Sequence, residues 1–185
     1  LGGAGVITLG DALGYVGAKV QPTKLAAMEA LWTAEKAPMA FNAIAFPNQV
    51  EQKNYFTVQI PAMLSILVTH SLDGVVPAID QLEVQAQERI RNGIPAVQAM
   101  EKLSANPRDE AALAQFKAHG KDVGYGFLVL RYAPQGDLTK ITDADIARAA
   151  RDTIPNVAIV FWSFRIMVAF GLLMPGEWDD GHERS

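Results

Sequence analysis

The run from Val157 to Met174 constrains this chain more than any other part of it. It is eighteen residues of almost unbroken apolar sequence interrupted by one charge, Arg165. At about 1.5 Å per residue a helix of that length measures roughly 27 Å, close to the hydrocarbon thickness of a bilayer. The run stops at Pro175-Gly176 and gives way to an atypical polar tail over residues 175–185. At the other end, Leu1 to Gly10 is uncharged, without an initiator methionine or the basic start of a signal peptide. The expected organisation is therefore the end of one transmembrane helix at 1–14, a long polar insert at 15–153, and a transmembrane helix at 154–174. The chain reads as a piece of a larger helical membrane protein, and by itself not as a complete enzyme.

Composition excludes several classes. The net charge is −4 and no basic patch is interleaved with aromatics, which argues against nucleic acid as a partner. The absence of cysteine removes disulfide frameworks and cysteine metal clusters. His70, His119 and His182 lie far apart and match no metal-ligand spacing.

Within the insert the pattern predicts helices. Pro22 opens a first helix, and the run of alanine, leucine and methionine from Thr23 carries it to about Lys36. Residues 37–55 hold two prolines and many polar side chains and read as a mobile loop. Phe56 to Leu72 is apolar around Pro61, which suits a helix packed on the protein or lying at an interface. Ala78 to Leu103 is a long amphipathic stretch with a kink or break expected at Gly93 and Pro95. Asn106-Pro107 reads as a cap and first turn of a helix ending near Gly120, and Gly124-Tyr125-Gly126 as a turn. Thr142, with Asp143 and Asp145 behind it, caps a short helix, and Pro155 opens the terminal one. No alternating pattern is long enough to suggest strands, so the fold class is all-α.

Two constellations could carry chemistry. At about 100° per residue, Leu25, Met28, Leu31 and Trp32 share an apolar helix face. Lys24 and Glu29 sit on its two flanks, five residues apart and so not an ordinary helical ion pair. A carboxylate can take a hydroxyl proton and an ammonium can hydrogen-bond an oxygen, so a flat apolar ligand bearing two oxygens suits the arrangement. A plain amphipathic helix with charged flanks explains the same pattern. Arg165 in the apolar run costs roughly 2.5–3.5 kcal/mol near a bilayer centre and so needs a partner: a neighbouring helix, the interface, or an anionic cofactor group. Met167, two residues on, carries a thioether that can ligate haem iron or simply pack.

Beyond spacing, the stretch Gly10-Asp11-x-x-Gly14-Tyr15 followed by Gln21-Pro22-Thr23-Lys24-Leu25-Ala26-Ala27-Met28-Glu29 resembles the start of the quinol-binding loop of cytochrome bd ubiquinol oxidase subunit I, in its long-loop branch. The likeness continues through Phe56-Thr57-Val58-Gln59-Ile60-Pro61, Glu88-Arg89-Ile90-Arg91-Asn92-Gly93, Gly124-Tyr125-Gly126, Arg131-Tyr132, Ile154-Pro155 and Phe164-Arg165-Ile166-Met167. The resemblance implies that Lys24 and Glu29 serve quinol binding and oxidation. It implies that Met167 is an axial ligand of the low-spin haem b and that Arg165 supports that haem electrostatically. The other axial ligand, a histidine, and the sites of the high-spin haem b and haem d are implied to lie outside this chain. The whole enzyme is implied to oxidise ubiquinol at the outer face of a bacterial inner membrane and to reduce dioxygen to water. Its implied partners are the remaining helices of subunit I, subunit II, a small accessory subunit and membrane lipid. Two alternatives stand beside this: a non-catalytic fragment keeping only binding or assembly contacts, and an unrelated helical binding domain that buries Val157–Met174 in its own core.

Overall fold

The computed structural model describes Leu9, Ala12 and residues 14–179. The expected span at 1–14, apart from those positions, and the tail beyond Asp179 with His182 lie outside the described residues. The chain divides into two compact units, residues 1–80 with 155–185, and residues 81–154.

The first unit opens with a helix, α1, over residues 14–20. Then come α2 (Pro22–Met28), strands β1 (Phe41–Asn48) and β2 (Lys53–Ile60), and α3 (Met63–Thr69). The long helix α4 (Ile79–Ala105) leads out of this unit, and α8 (Val157–Asp179) belongs to it again. β1 and β2 pair antiparallel, with Asn42 opposite Gln59 and Asn48 opposite Lys53, and with irregularities between Asn42 and Ile44 and between Ala45 and Pro47. The expectation of an all-α fold is thus corrected: the protein is mostly helical and carries a small two-stranded sheet. The stretch read as a loop supplies β1, and the start of the stretch read as a helix supplies most of β2. The physical reason is that β2 is exposed along nearly its whole length, so no one-sided alternation marks it. At the hairpin turn Asn48 Oδ1 accepts from the amides of Val50 and Glu51, both at 2.9 Å. A buried cluster of Leu31, Met39, Leu64, Val76 and Ala78 forms a core under α3. Ser65 ties it together, donating to Gly74 O and accepting from the Met39 amide.

The second unit is helical. The body of α4 runs through Pro95 as one helix, so of the expected break or kink it shows no break. After it come α5 (Glu110–His119), α6 (Val123–Val129) and α7 (Asp143–Arg151). The α5 cap is Asp109, whose carboxylate accepts from the Ala112 amide; Asn106 instead accepts from the Arg108 amide in the turn before it. Thr142 and Asp145 form the reciprocal capping box. The glycines read as a break and a turn have another use. A β-carbon on Gly93 would stand 2.3 Å from Asp122 O and 2.5 Å from Gly126 N, and one on Gly126 would stand 2.4 Å from Gly93 O. The α4 and α6 backbones therefore meet where only glycine fits, and Gly124-Tyr125-Gly126 lies inside a helix. Ile90, Val97, Val129 and Ala149 are buried beside this contact.

Among the described residues no helix is long and apolar enough to cross a membrane. Of the residues expected to span, 157–174 form the first part of α8.

Because the clash at Gly93 is with backbone, Gly93→Ala should cost at least about 1–3 kcal/mol, the range for overpacking a filled core. Gly124→Ala, where a β-carbon meets nothing within 4 Å, should change stability little. Thermal unfolding of the full-length protein compares them, and equal midpoints would refute the close crossing.

Candidate functional site

The site forms at the end of α2. The helix stops at Met28, well short of the expected Lys36. Glu29 is its cap and Ala30 adopts a left-handed backbone, φ +49°. The Leu31 amide donates to Ala26 O at 2.9 Å and the Ala30 amide to Ala27 O at 3.2 Å, the paired bonds of a Schellman ending. Glycine is the usual residue at the left-handed position; with alanine there, the sequence gives no stop signal. The end is fixed from outside by the hairpin. Asn42 Nδ2 donates to Glu29 O at 2.8 Å and Asn54 Nδ2 to Ala30 O at 2.9 Å, satisfying carbonyls that the helix leaves open. Asn54 Oδ1 in turn accepts from Trp32 Nε1 at 2.9 Å.

Glu29 therefore does not lie on an exposed helix flank. It is 3% exposed, and its Oε2 accepts from Arg165 Nη2 at 2.8 Å. Arg165 also donates to Asn42 O through Nη2 at 2.6 Å and Nε at 3.2 Å. Its guanidinium carbon lies 4.3 Å from the centroid of the Phe41 ring and 4.5 Å from that of Phe161, with Phe164 at 5.4 Å. Such ring faces attract a cation that has left water. Burial pushes the Glu29 carboxyl above its ordinary range; the hydrogen bond and charge of Arg165 pull it back, and burial prevails.

Lys24 is exposed on α2, and no hydrogen bond or ion pair joins it to this cluster among the described residues. Met167 is 60% exposed on α8, beside exposed Ile166 and Phe170. The structure thus brings Glu29 and Arg165 together and leaves Lys24 and Met167 pointing outward. Residue patterning missed Asn42, Asn54, Gln59, Phe41 and Phe161. The one available signal was the β-favouring run Tyr55-Phe56-Thr57-Val58 after a polar turn.

The residues present can be tested against a haem. Among the described residues Arg165 Nη1 is buried with no hydrogen-bond partner, a cationic donor of the kind that pairs with a carboxylate. Met167 offers a thioether on an apolar, outward surface. Among the described residues no group of three or more histidine, cysteine, aspartate or glutamate side chains could hold a metal. The donor set therefore offers at most one thioether ligand, Met167, and one anionic contact, Arg165.

The family model for cytochrome bd terminal oxidase subunit I matches residues 2–176. The chain belongs to this family. It is 45% identical over 170 residues to the cytochrome bd-II ubiquinol oxidase subunit 1 of Escherichia coli (strain K12), covering 92% of this chain and 33% of that relative. This subunit I chain thus spans about a third of the length of the curated relative it matches.

The Glu29–Arg165 pair makes a stability prediction. Arg165→Met leaves a buried carboxylate without its cation and should cost about 3–5 kcal/mol, whereas adding Glu29→Gln to that variant should recover most of the loss. Thermal unfolding of the full-length subunit reads both. No recovery in the double variant would show that the two charges are not coupled.

Proposed function

We propose that this chain supplies the quinol-oxidising region of a respiratory terminal oxidase that takes electrons from ubiquinol and reduces dioxygen to water. The observation that carries the reading is Glu29: a buried carboxyl with a raised pKa, one oxygen held by Arg165 and the other without a hydrogen bond among the described residues. Oxidation of a quinol releases two protons and two electrons, and a fixed base beside the hydroxyl lowers the barrier to the first proton's departure. Arg165 offsets part of the upward push of burial on the Glu29 carboxyl, and in its ionised form Glu29 accepts the hydroxyl proton through Oε1. Lys24, exposed on the same short helix, hydrogen-bonds the quinol oxygen and orients the ring. Met167 and Arg165 would hold a low-spin haem b, the first by its thioether and the second through Nη1. When bound, that haem supplies one-electron acceptance.

The same reading places α8 in a bacterial inner membrane, supported by its exposed Ile159, Ile166, Val168 and Phe170, and the quinol loop on the outer side. The high-spin haem b, haem d, the remaining helices of subunit I, subunit II, an accessory subunit and lipid would complete the enzyme. The isolated chain, with one haem ligand, would be inactive.

The test uses the full-length oxidase. Glu29→Gln should lower quinol-driven oxygen uptake about a hundredfold, the lower end of general-base contributions. Lys24→Leu should chiefly raise KM. Oxygen uptake from an artificial donor that bypasses the loop should persist in both. Below its raised pKa Glu29 is protonated and cannot accept, so quinol turnover should climb as pH rises through a value above the ordinary carboxylate range. Glu29→Gln should flatten that limb. Parental quinol kinetics in both variants would return Lys24 and Glu29 to the role of ordinary helix charges.

A further inference from the structure

The chemistry proposed for Glu29 depends on where its carboxyl is held, and the residue that holds it is on neither helix. Asn42 is 5% exposed, and its side-chain amide and its main-chain carbonyl are all engaged around the pair. Nδ2 donates to the Glu29 carbonyl at 2.8 Å. Oδ1 accepts from Gln59 Nε2 at 3.0 Å, which fixes the amide's orientation from the facing strand. The main-chain oxygen accepts from Arg165 Nη2 at 2.6 Å and Nε at 3.2 Å. One residue therefore sets the main chain of the acid and the guanidinium of its partner, and Gln59 sets that residue. The need is plain from the local backbone: α2 is short, Ala30 is left-handed, and the turn carries no glycine. Without an external donor the Glu29 carbonyl is a buried acceptor left unmade, and a helix end of this kind shifts to find one.

We propose that Asn42 is a positioning residue for quinol oxidation, oriented by Gln59, and that the β1–β2 hairpin serves in this region to hold Glu29 against Arg165. The inference rests on the quinol-oxidising role of Glu29. Reacting groups must be held to within a fraction of an ångström, so loss of the clamp should lower turnover more than binding. Asn42 acts through Glu29 and has no separate contact with the reaction.

The experiment is kinetic, in the complete oxidase. Asn42→Leu keeps the branched side-chain shape and deletes both amide hydrogen bonds. It should lower quinol-driven kcat about tenfold with KM changed less than about twofold, while haem content, haem spectrum and artificial-donor oxygen uptake stay at parental levels. On a Glu29→Gln background the same substitution should add less than about twofold, because the group it positions is gone. Gln59→Leu, on an exposed strand where folding is not at risk, should lower kcat by a smaller factor and be non-additive with Asn42→Leu. It decides the matter if Asn42→Leu fails to assemble. Parental quinol kinetics in Asn42→Leu alongside an impaired Glu29→Gln would overturn the positioning role and leave the proposed function standing. Parallel loss of quinol-driven and artificial-donor uptake would overturn it in favour of a purely structural role. Parental kinetics in Glu29→Gln would sink the proposed function, and the positioning role with it.

Discussion

A carboxylate and a guanidinium 136 positions apart in the chain meet at 2.8 Å with 4% and 11% of their side chains exposed. Neither charge could occupy that place without the other, because an unpaired buried ion costs several kcal/mol. The requirement brings α8 to the end of α2 and β1 alongside both, and it explains why phenylalanines surround the arginine. Ring faces exclude water without competing for the hydrogen bonds of the pair. A buried pair of this sort adds little net stability compared with apolar residues of the same volume.

The second unit shows the same chemistry tuned the other way. Asp122 is also buried, and burial alone would raise its pKa. Hydrogen bonds from Arg89 and Asn92, both at 2.6 Å, outweigh that and hold it below its ordinary range. Arg89 lies over Tyr125, and His119 Nδ1 stands 2.6 Å from Asn92 Oδ1, so the carboxylate is fully engaged in a network binding α4 to the start of α6. Among the described residues Glu29 has one hydrogen-bonded oxygen, and its pKa is raised. The two buried carboxyls are thus moved in opposite directions by their surroundings, Asp122 downward and Glu29 upward.

Local signals in the sequence were readable wherever one element decided its own shape. The Thr142–Asp145 box and the apolar run of α8 follow from neighbours within a few residues. Lys24, Glu29, Arg165 and Met167 stood out as candidates, but the pairing of Glu29 with Arg165 could not be read, since no periodicity reports a contact across that separation. The early end of α2 was hidden because alanine occupies the left-handed position where glycine would have announced it. The hairpin was hidden because its outer strand is exposed along nearly its whole length and so lacks alternation. Gly93 and Gly126 looked like punctuation when their use is in close packing, a distinction only a neighbouring backbone can make.

The hairpin also sets where this region can change length. Its turn carries Val50, 93% exposed, and extra residues at 50–52 would add only a small loop-closure term. The strands have no such freedom. Asn42 and Asn54 reach the end of α2 from opposite strands, and a deletion of one residue in β1 or β2 would turn every side chain beyond it to the other face. Among related chains, insertions and deletions should therefore gather at the turn and spare Phe41–Asn48 and Lys53–Ile60, even though most of β2 touches little else. A segment whose surface looks dispensable is held to a fixed residue count by two asparagines.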